Sequence, residues 1–75
     1  MRVFVDEDAR HWDIVVGRES WGALFALFIP AGGDEGIRQT MLQSASYEDA
    51  TRLLQHAEEA ELADLFQRSE PKRLD

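Results

Sequence analysis

The sequence contains no cysteine, which excludes disulfide cross-links, zinc sites with cysteine ligands, iron–sulfur clusters and thiol catalysis. Basic residues are also few, because eight Lys and Arg stand against fifteen Asp and Glu and give a formal net charge of -7. Binding to the phosphate backbone of nucleic acids depends on clustered basic side chains. We therefore expect no nucleic-acid partner, and the same charge disfavours an anionic membrane surface.

Long hydrophobic runs are absent as well. The longest strongly apolar segment, residues 21–29, has nine residues, whereas a membrane-spanning helix needs roughly 20. No basic segment and cleavage site frame this run as the core of a signal peptide. These features predict a cytoplasmic protein that does not contact membranes.

The length of 75 residues allows one small domain, and a hydrophobic fraction of 44% argues against wholesale disorder. A chain of this size buries only about 60% of the surface that its unfolded form exposes. Hydrophobic gain and chain entropy then nearly balance, and small domains often depend on an additional stabilising feature. Without disulfides, that feature is either a metal ion or self-association.

The first 43 residues alternate between apolar and polar side chains with a period of two, which is typical of β-strands. We predict four strands, near residues 3–5, 12–16, 21–29 and 37–42, that form an antiparallel meander. For the third segment a helix is the alternative. The lack of an amphipathic stripe, the short length and the proline that follows at position 30 favour a strand.

After residue 43 the apolar period becomes helical. Ser46 followed by Asp49 is a variant of the capping box that starts helices. We predict two helices, at about 47–56 and 59–68, because their apolar stripes are rotated relative to each other; one bent helix is the alternative.

The predicted fold class is therefore α+β: a four-stranded antiparallel sheet in meander order, followed by two short C-terminal helices that pack on one face. We expect a single domain over residues 1–69 and a disordered tail over residues 70–75. The predicted core consists of Val3, Val5, Trp12, Ile14, Val16, Phe25, Leu27, Ala50, Leu53, Leu54, Leu62, Leu65 and Phe66.

No pattern in the chain indicates catalysis or metal binding. An EF-hand loop that starts at Asp6 would need glycine where His11 stands and an acid where Gly17 stands. His11 and His56, the two histidines, lack a second ligand at helical spacing, and no serine lies in a G-x-S-x-G turn. We predict no catalytic, cofactor-binding or metal-binding residues, and no enzymatic activity.

The apolar third strand carries the main functional indication, because two helices can cover only one side of a four-stranded sheet. Either the sheet curls into a small barrel, or its second face lies lightly exposed, or that face meets another surface. The residues that we predict to form such an interface are Phe4, Val15, Leu24 and Phe28.

These features lead to three functional hypotheses, of which the last, an enzyme or ligand-binding domain, needs a pocket with convergent polar groups. The first is a non-catalytic interaction or accessory module that self-associates, or docks to a larger protein, through the second sheet face. The alternative is an acidic inhibitor or nucleic-acid mimic that binds a basic partner surface, as the charge of -7 suggests.

Residues 3–15 read Val-Phe-Val-Asp-Glu-Asp-Ala-Arg-His-Trp-Asp-Ile-Val. This opening resembles small bacterial proteins of unknown function that begin with a strand, a D-x-D/G-x-R turn and a tryptophan-led second strand, and that end in a short acidic helical region. The resemblance implies a hairpin at the start of the chain. It implies no activity, cofactor or binding residue, because none is attached to that group.

Overall fold

The computed structural model describes residues 2–32 and 36–72. They form an antiparallel sheet in the order β1-β2-β3-β4-β5, with two helices between β4 and β5. This arrangement confirms the predicted α+β class, the meander of the first four strands and the division of the helical region into two helices. The elements are β1 (Arg2–Val5), β2 (His11–Arg18), β3 (Leu24–Pro30), β4 (Arg38–Leu42), α1 (Tyr47–His56), α2 (Glu59–Gln67) and β5 (Glu70–Pro71).

A tight turn joins β1 to β2. The Asp6 N–H donates to the carbonyl of Arg10 at 3.0 Å, and the Ala9 N–H donates to the carbonyl of Asp6 at 3.0 Å. Ala9 has a φ of 63°, in the left-handed region, which costs conformational energy for residues other than glycine and asparagine. A turn followed by one left-handed residue is the usual three-residue hairpin loop. The loop length fixes the register, so Phe4 lies opposite Trp12.

Both helices begin at a side-chain cap. The Ser46 hydroxyl accepts the Asp49 N–H at 3.1 Å, as the sequence predicts. Helix α2 begins after Glu58, whose backbone N–H donates to Glu61 Oε1 at 3.4 Å, as in one half of a capping box. Between the helices Ala57 has an extended backbone, so the chain turns there and does not continue as one bent helix.

The hydrophobic core lies between one face of the sheet and the two helices. The half-buried Phe66 ring of α2 packs against this core, with centroids 5.2, 5.0 and 5.1 Å from those of Phe4, Trp12 and Phe28. Tilted and edge-on ring contacts of this kind add to the stabilisation from burial. The buried cluster consists of Phe4, Trp12, Ile14, Leu24, Ala26, Phe28, Leu42, Ala50, Leu54, Ala57, Leu62 and Leu65.

The predicted core is right for the helices in large part and for β2, but it names the wrong face of β1 and β3. Val3 and Val5 are 46% and 47% exposed. Leu27 lies half-buried on the face that the helices leave uncovered. Phe25 is buried as predicted, at 8% exposed, but lies on that same face and outside the cluster beneath the helices. The reason is the register of the two hairpins, which places the even-numbered residues of β1, β2 and β3 on the same side. Leu53, at 42% exposed, points away from the core as well.

A fifth strand follows the helices where the sequence predicts a disordered tail. The Arg38 guanidinium donates from Nε to the Ser69 hydroxyl at 2.8 Å and from a terminal nitrogen to the Ser69 carbonyl at 2.7 Å. These bonds place β5 beside β4, and the Lys72 N–H then donates to the carbonyl of Ile37 at 2.7 Å. The prediction of disorder is therefore wrong for residues 70–72, and residues 73–75 lie outside the described residues.

We expect Ala9→Gly and Ala9→Asn to stabilise the protein. Both residues tolerate a positive φ. Relief of about 1–2 kcal/mol at this position exceeds the roughly 0.4–1 kcal/mol that the added freedom of glycine costs, for a net gain of roughly 0.5–1 kcal/mol. Chemical denaturation of each variant measures the change. Ala9→Val is the contrasting control, because a β-branched residue fits this backbone poorly and lowers stability. Equal stability of all four proteins would contradict the role assigned to the turn.

Candidate functional site

The sheet face opposite the helices, here called the open face, is the largest feature that the core does not use. Alternation along each strand sends every second side chain to this face. Its strand residues are Val3, Val5, His11, Asp13, Val15, Gly17, Phe25, Leu27, Ile29, Gln39, Met41 and Glu70.

Apolar side chains are exposed on and beside the open face. Val3, Val5 and Met41 are 46%, 47% and 53% exposed, and Trp21 in the β2–β3 turn is 68% exposed. The Trp21 ring stands edge-on to Phe25 with centroids 6.3 Å apart, so it covers Phe25 and extends the apolar surface past the end of the strand. His11 and Asp13 lie between Val5 and Val3 on one side and β3 on the other. Several exposed apolar side chains on one sheet face are nevertheless more typical of an interaction site than of ordinary protein exterior.

Gly17 shapes the middle of the open face. A Cβ at this position would lie only 2.7 Å from the Cδ1 of Leu27, on the neighbouring strand. The absence of a side chain lets Leu27 lie across β2, so the apolar surface there is continuous from β3 to β2.

Charge is sparse on the open face of a protein whose net charge is -7. Asp13 and Glu70 are its acidic strand residues among the described parts of the chain. At one margin Lys72 Nζ lies 3.3 Å from Glu19 Oε1, and this ion pair joins the β2–β3 turn to the segment after β5. The open face therefore presents hydrocarbon in the main, with its charges few or paired.

The structure corrects three of the four interface residues that the sequence indicates. Phe4, Leu24 and Phe28 are 5%, 6% and 0% exposed and lie beneath the helices, so their side chains are not accessible to a partner. Val15 lies on the open face, half-buried opposite Leu27. The residues that sequence reasoning missed are Val3, Val5, Trp21, Leu27, Ile29 and Met41.

The signal that could have found them is the length of the first turn. A three-residue loop between Asp6 and Arg10 pairs residues whose numbers sum to 16, so Phe4 must share a face with Trp12. Counting the loop, rather than the alternation within each strand alone, separates the two faces of the hairpin.

A concavity of about 410 Å³ lies between the β1–β2 turn and α2, apart from the open face. Its most constrained group is Asp6: Oδ2 accepts the indole N–H of Trp12 at 2.9 Å, and Oδ1 accepts the N–H groups of Asp8 and Arg10 at 2.8 and 3.0 Å. Both carboxylate oxygens are thus engaged in holding the turn. Phe4 and Trp12, which line the floor, are themselves buried core residues.

The pKa of the Asp6 carboxyl lies below its ordinary value of 3.8. Partial desolvation acts to raise it, but the hydrogen bonds from Trp12 and from the backbone of Arg10 and Asp8, with the positive charge of Arg10, outweigh that effect. Asp6 is thus ionised at neutral pH and acts as a structural acceptor. No group of three potential metal ligands occurs within residues 2–32 and 36–72.

Comparisons with protein-family models, curated proteins and solved structures find no match to this chain. Helices α1 and α2 run for ten and nine residues, and no helix in the described part of the chain qualifies as a membrane span.

We expect Asp6→Asn to lower the free energy of unfolding by roughly 1–2 kcal/mol at neutral pH, because the charge-assisted hydrogen bonds are weakened. A folded-state pKa below 3.8 means that the ionised group stabilises the fold above that pH. The contribution disappears as the pH falls through the lower folded-state pKa.

Denaturation of both proteins between about pH 7 and about pH 2 tests this linkage. The difference between wild type and variant should shrink at the acid end. Glu7→Gln removes one negative charge from the same turn and serves as the control for charge alone. A difference that is constant over the whole pH range would contradict the assignment.

Proposed function

We propose that the protein is a non-catalytic interaction module that self-associates, with the open face of one copy packed on the open face of a second. The observation that supports this most directly is that the helices cover one face of the sheet, while the other carries exposed Val3, Val5, Trp21 and Met41. A cytoplasmic location and the absence of a nucleic-acid partner, both expected from the sequence, are part of the same proposal.

The size of the open face suits a contact between two sheets. With strands about 4.8 Å apart and a rise of about 3.3 Å per residue, the four meander strands have a footprint of about 400 Å². This footprint includes polar His11, Asp13 and Gln39. Two such faces in contact would cover about 800 Å² in total, which is the size of a weak, concentration-dependent interface. Two sheets pack face to face at about 10 Å with their side chains interdigitated, and burial there would supply the additional stabilisation that a 75-residue chain needs.

Charge favours contact between copies at this face over contact through the acidic β1–β2 turn or the helix N-termini. Two chains of net charge -7 repel each other. Acidic side chains cluster at the β1–β2 turn and in the first turns of both helices. The open face holds few charges, so copies that meet there bring the fewest acids together and desolvate the least charge.

The alternative hypothesis, an acidic inhibitor or nucleic-acid mimic, has weaker support. The acids Glu48, Asp49, Glu59 and Glu61 lie in first turns, where they stabilise their own helices through the helix dipole. Others pair within the chain, as Asp64 does with Arg68 at 3.0 Å. The positions of these acids correspond to helix starts and intrachain ion pairs more closely than to the regular spacing of phosphates along a nucleic acid.

We expect the molar mass of the wild-type protein to rise toward that of a dimer as concentration increases from about 5 μM to about 1 mM, and Met41→Glu to weaken association at least about tenfold, because an unpaired carboxylate would be buried. Sedimentation equilibrium measures both. Tyr47→Glu is the matched control, because Tyr47 is similarly exposed but lies in the first turn of α1 and does not share a concavity with Met41. A wild-type monomer at every concentration, or equal weakening by both substitutions, would overturn the proposal.

A further inference from the structure

The outer edge of β1 offers a second interaction surface, made of backbone groups. In an antiparallel pair, successive residues bond alternately to the strand on one side and the strand on the other. The Arg10 carbonyl accepts the Asp6 N–H on the β1 side, and the His11 carbonyl accepts the Ala31 N–H on the β3 side. By the register, Arg2 and Phe4 then bond to β2, and the backbone N–H and C=O groups of Val3 and Val5 point outward.

The two edges of the sheet differ in how they are protected. At the far edge, β5 has two residues and ends in Pro71, which has no N–H to donate, with charged Glu70 and Lys72 on either side. Short, charged and proline-bearing edge strands resist further pairing. β1 has four residues without proline, and its outward-bonding positions are β-branched valines that favour strand pairing.

Charge at the two ends of β1 selects the orientation of a pairing strand. Arg2 lies at one end, where its guanidinium donates to the Gln55 carbonyl at 3.0 Å and lies 3.3 Å from Glu59 Oε1. Asp6 follows the other end, and its carboxylate accepts hydrogen bonds within its own turn, so the charges of both residues would act across the edge at longer range. If a second β1 pairs antiparallel about Phe4, Arg2 of each copy faces Asp6 of the other, and Val3 faces Val5. Opposite charges and β-branched residues in directly opposed positions both stabilise cross-strand pairs.

We infer that β1 pairs with β1 of a second copy in this antiparallel register, through the outward backbone groups of Val3 and Val5. The contact joins two five-stranded sheets into one continuous sheet and sets their open faces side by side. It is distinct from packing between open faces and does not rest on that proposal, since it uses backbone groups at an edge. The occupant is a second copy because the strand is complementary to itself in charge and in hydrogen-bonding positions.

Amide hydrogen exchange, followed residue by residue by NMR at low and high protein concentration, tests the inference on the unmodified protein. We expect exchange of the Val3 and Val5 amides to slow at least about tenfold in the associated state. The Phe4 amide, which bonds within the chain, is the internal reference and should be unaffected by concentration. Fast exchange of Val3 and Val5 in a sample whose mass is that of a dimer would overturn the inference.

A proline substitution provides a second test of the β1 edge contact. Val5→Pro removes an N–H that has no acceptor among residues 2–32 and 36–72, so the fold should persist while association through the edge weakens at least about tenfold. Val5→Thr keeps the N–H and is the control. If Val5→Pro does not fold, Val3→Pro replaces it by the same reasoning.

The variant Met41→Glu distinguishes the two proposed contacts, because Met41 lies on the open face away from β1. Concentration-dependent protection of Val3 and Val5 that survives in this variant supports the edge contact, even where the open-face proposal has failed. Equal association of Val5→Pro and Val5→Thr would count against the edge contact and leave the open-face proposal standing.

Discussion

The hydrogen-bonded turn at Asp6 is the constraint on which the rest of the fold depends. Its carboxylate accepts two backbone N–H groups and the indole N–H of Trp12, so the loop and the first core residue of β2 are held together. The resulting register places Phe4 beside Trp12 on one face, where the Phe66 ring of α2 meets both. A loop shorter or longer by one residue would send Phe4 to the opposite face and leave Phe66 without that contact.

The fold class follows from periodicity, and the division of faces does not. Alternation up to residue 43 and a helical period after it are strong local signals, and Ser46 marks the helix start that the structure shows. Strand β3 is apolar on both sides, so its own residues cannot indicate which side the helices cover. The hairpin loop lengths determine which side of β3 the helices cover. The pairing of β5 depends on Arg38, which binds Ser69 from a strand about 30 residues earlier in the chain.

The candidate site shows the same limit. That one sheet face would remain uncovered was predictable from the element count, because two short helices cannot cover both sides. Which residues line it was not, and Phe4, Leu24 and Phe28 proved to be core. Trp21 could not be placed from alternation at all, since it lies in a turn and reaches the open face through its contact with Phe25. Surface features made by turns depend on tertiary geometry, which local patterns do not encode.

The place of Phe66 in α2, after the four meander strands, has a consequence for folding. Its partners Phe4, Trp12 and Phe28 belong to strands joined by short-range pairing, whereas Phe66 reaches them from a helix that follows the meander in the chain. A meander that pairs before α2 docks has apolar side chains on both faces. Docking of α2 is therefore the step that removes these rings from contact with other chains during folding.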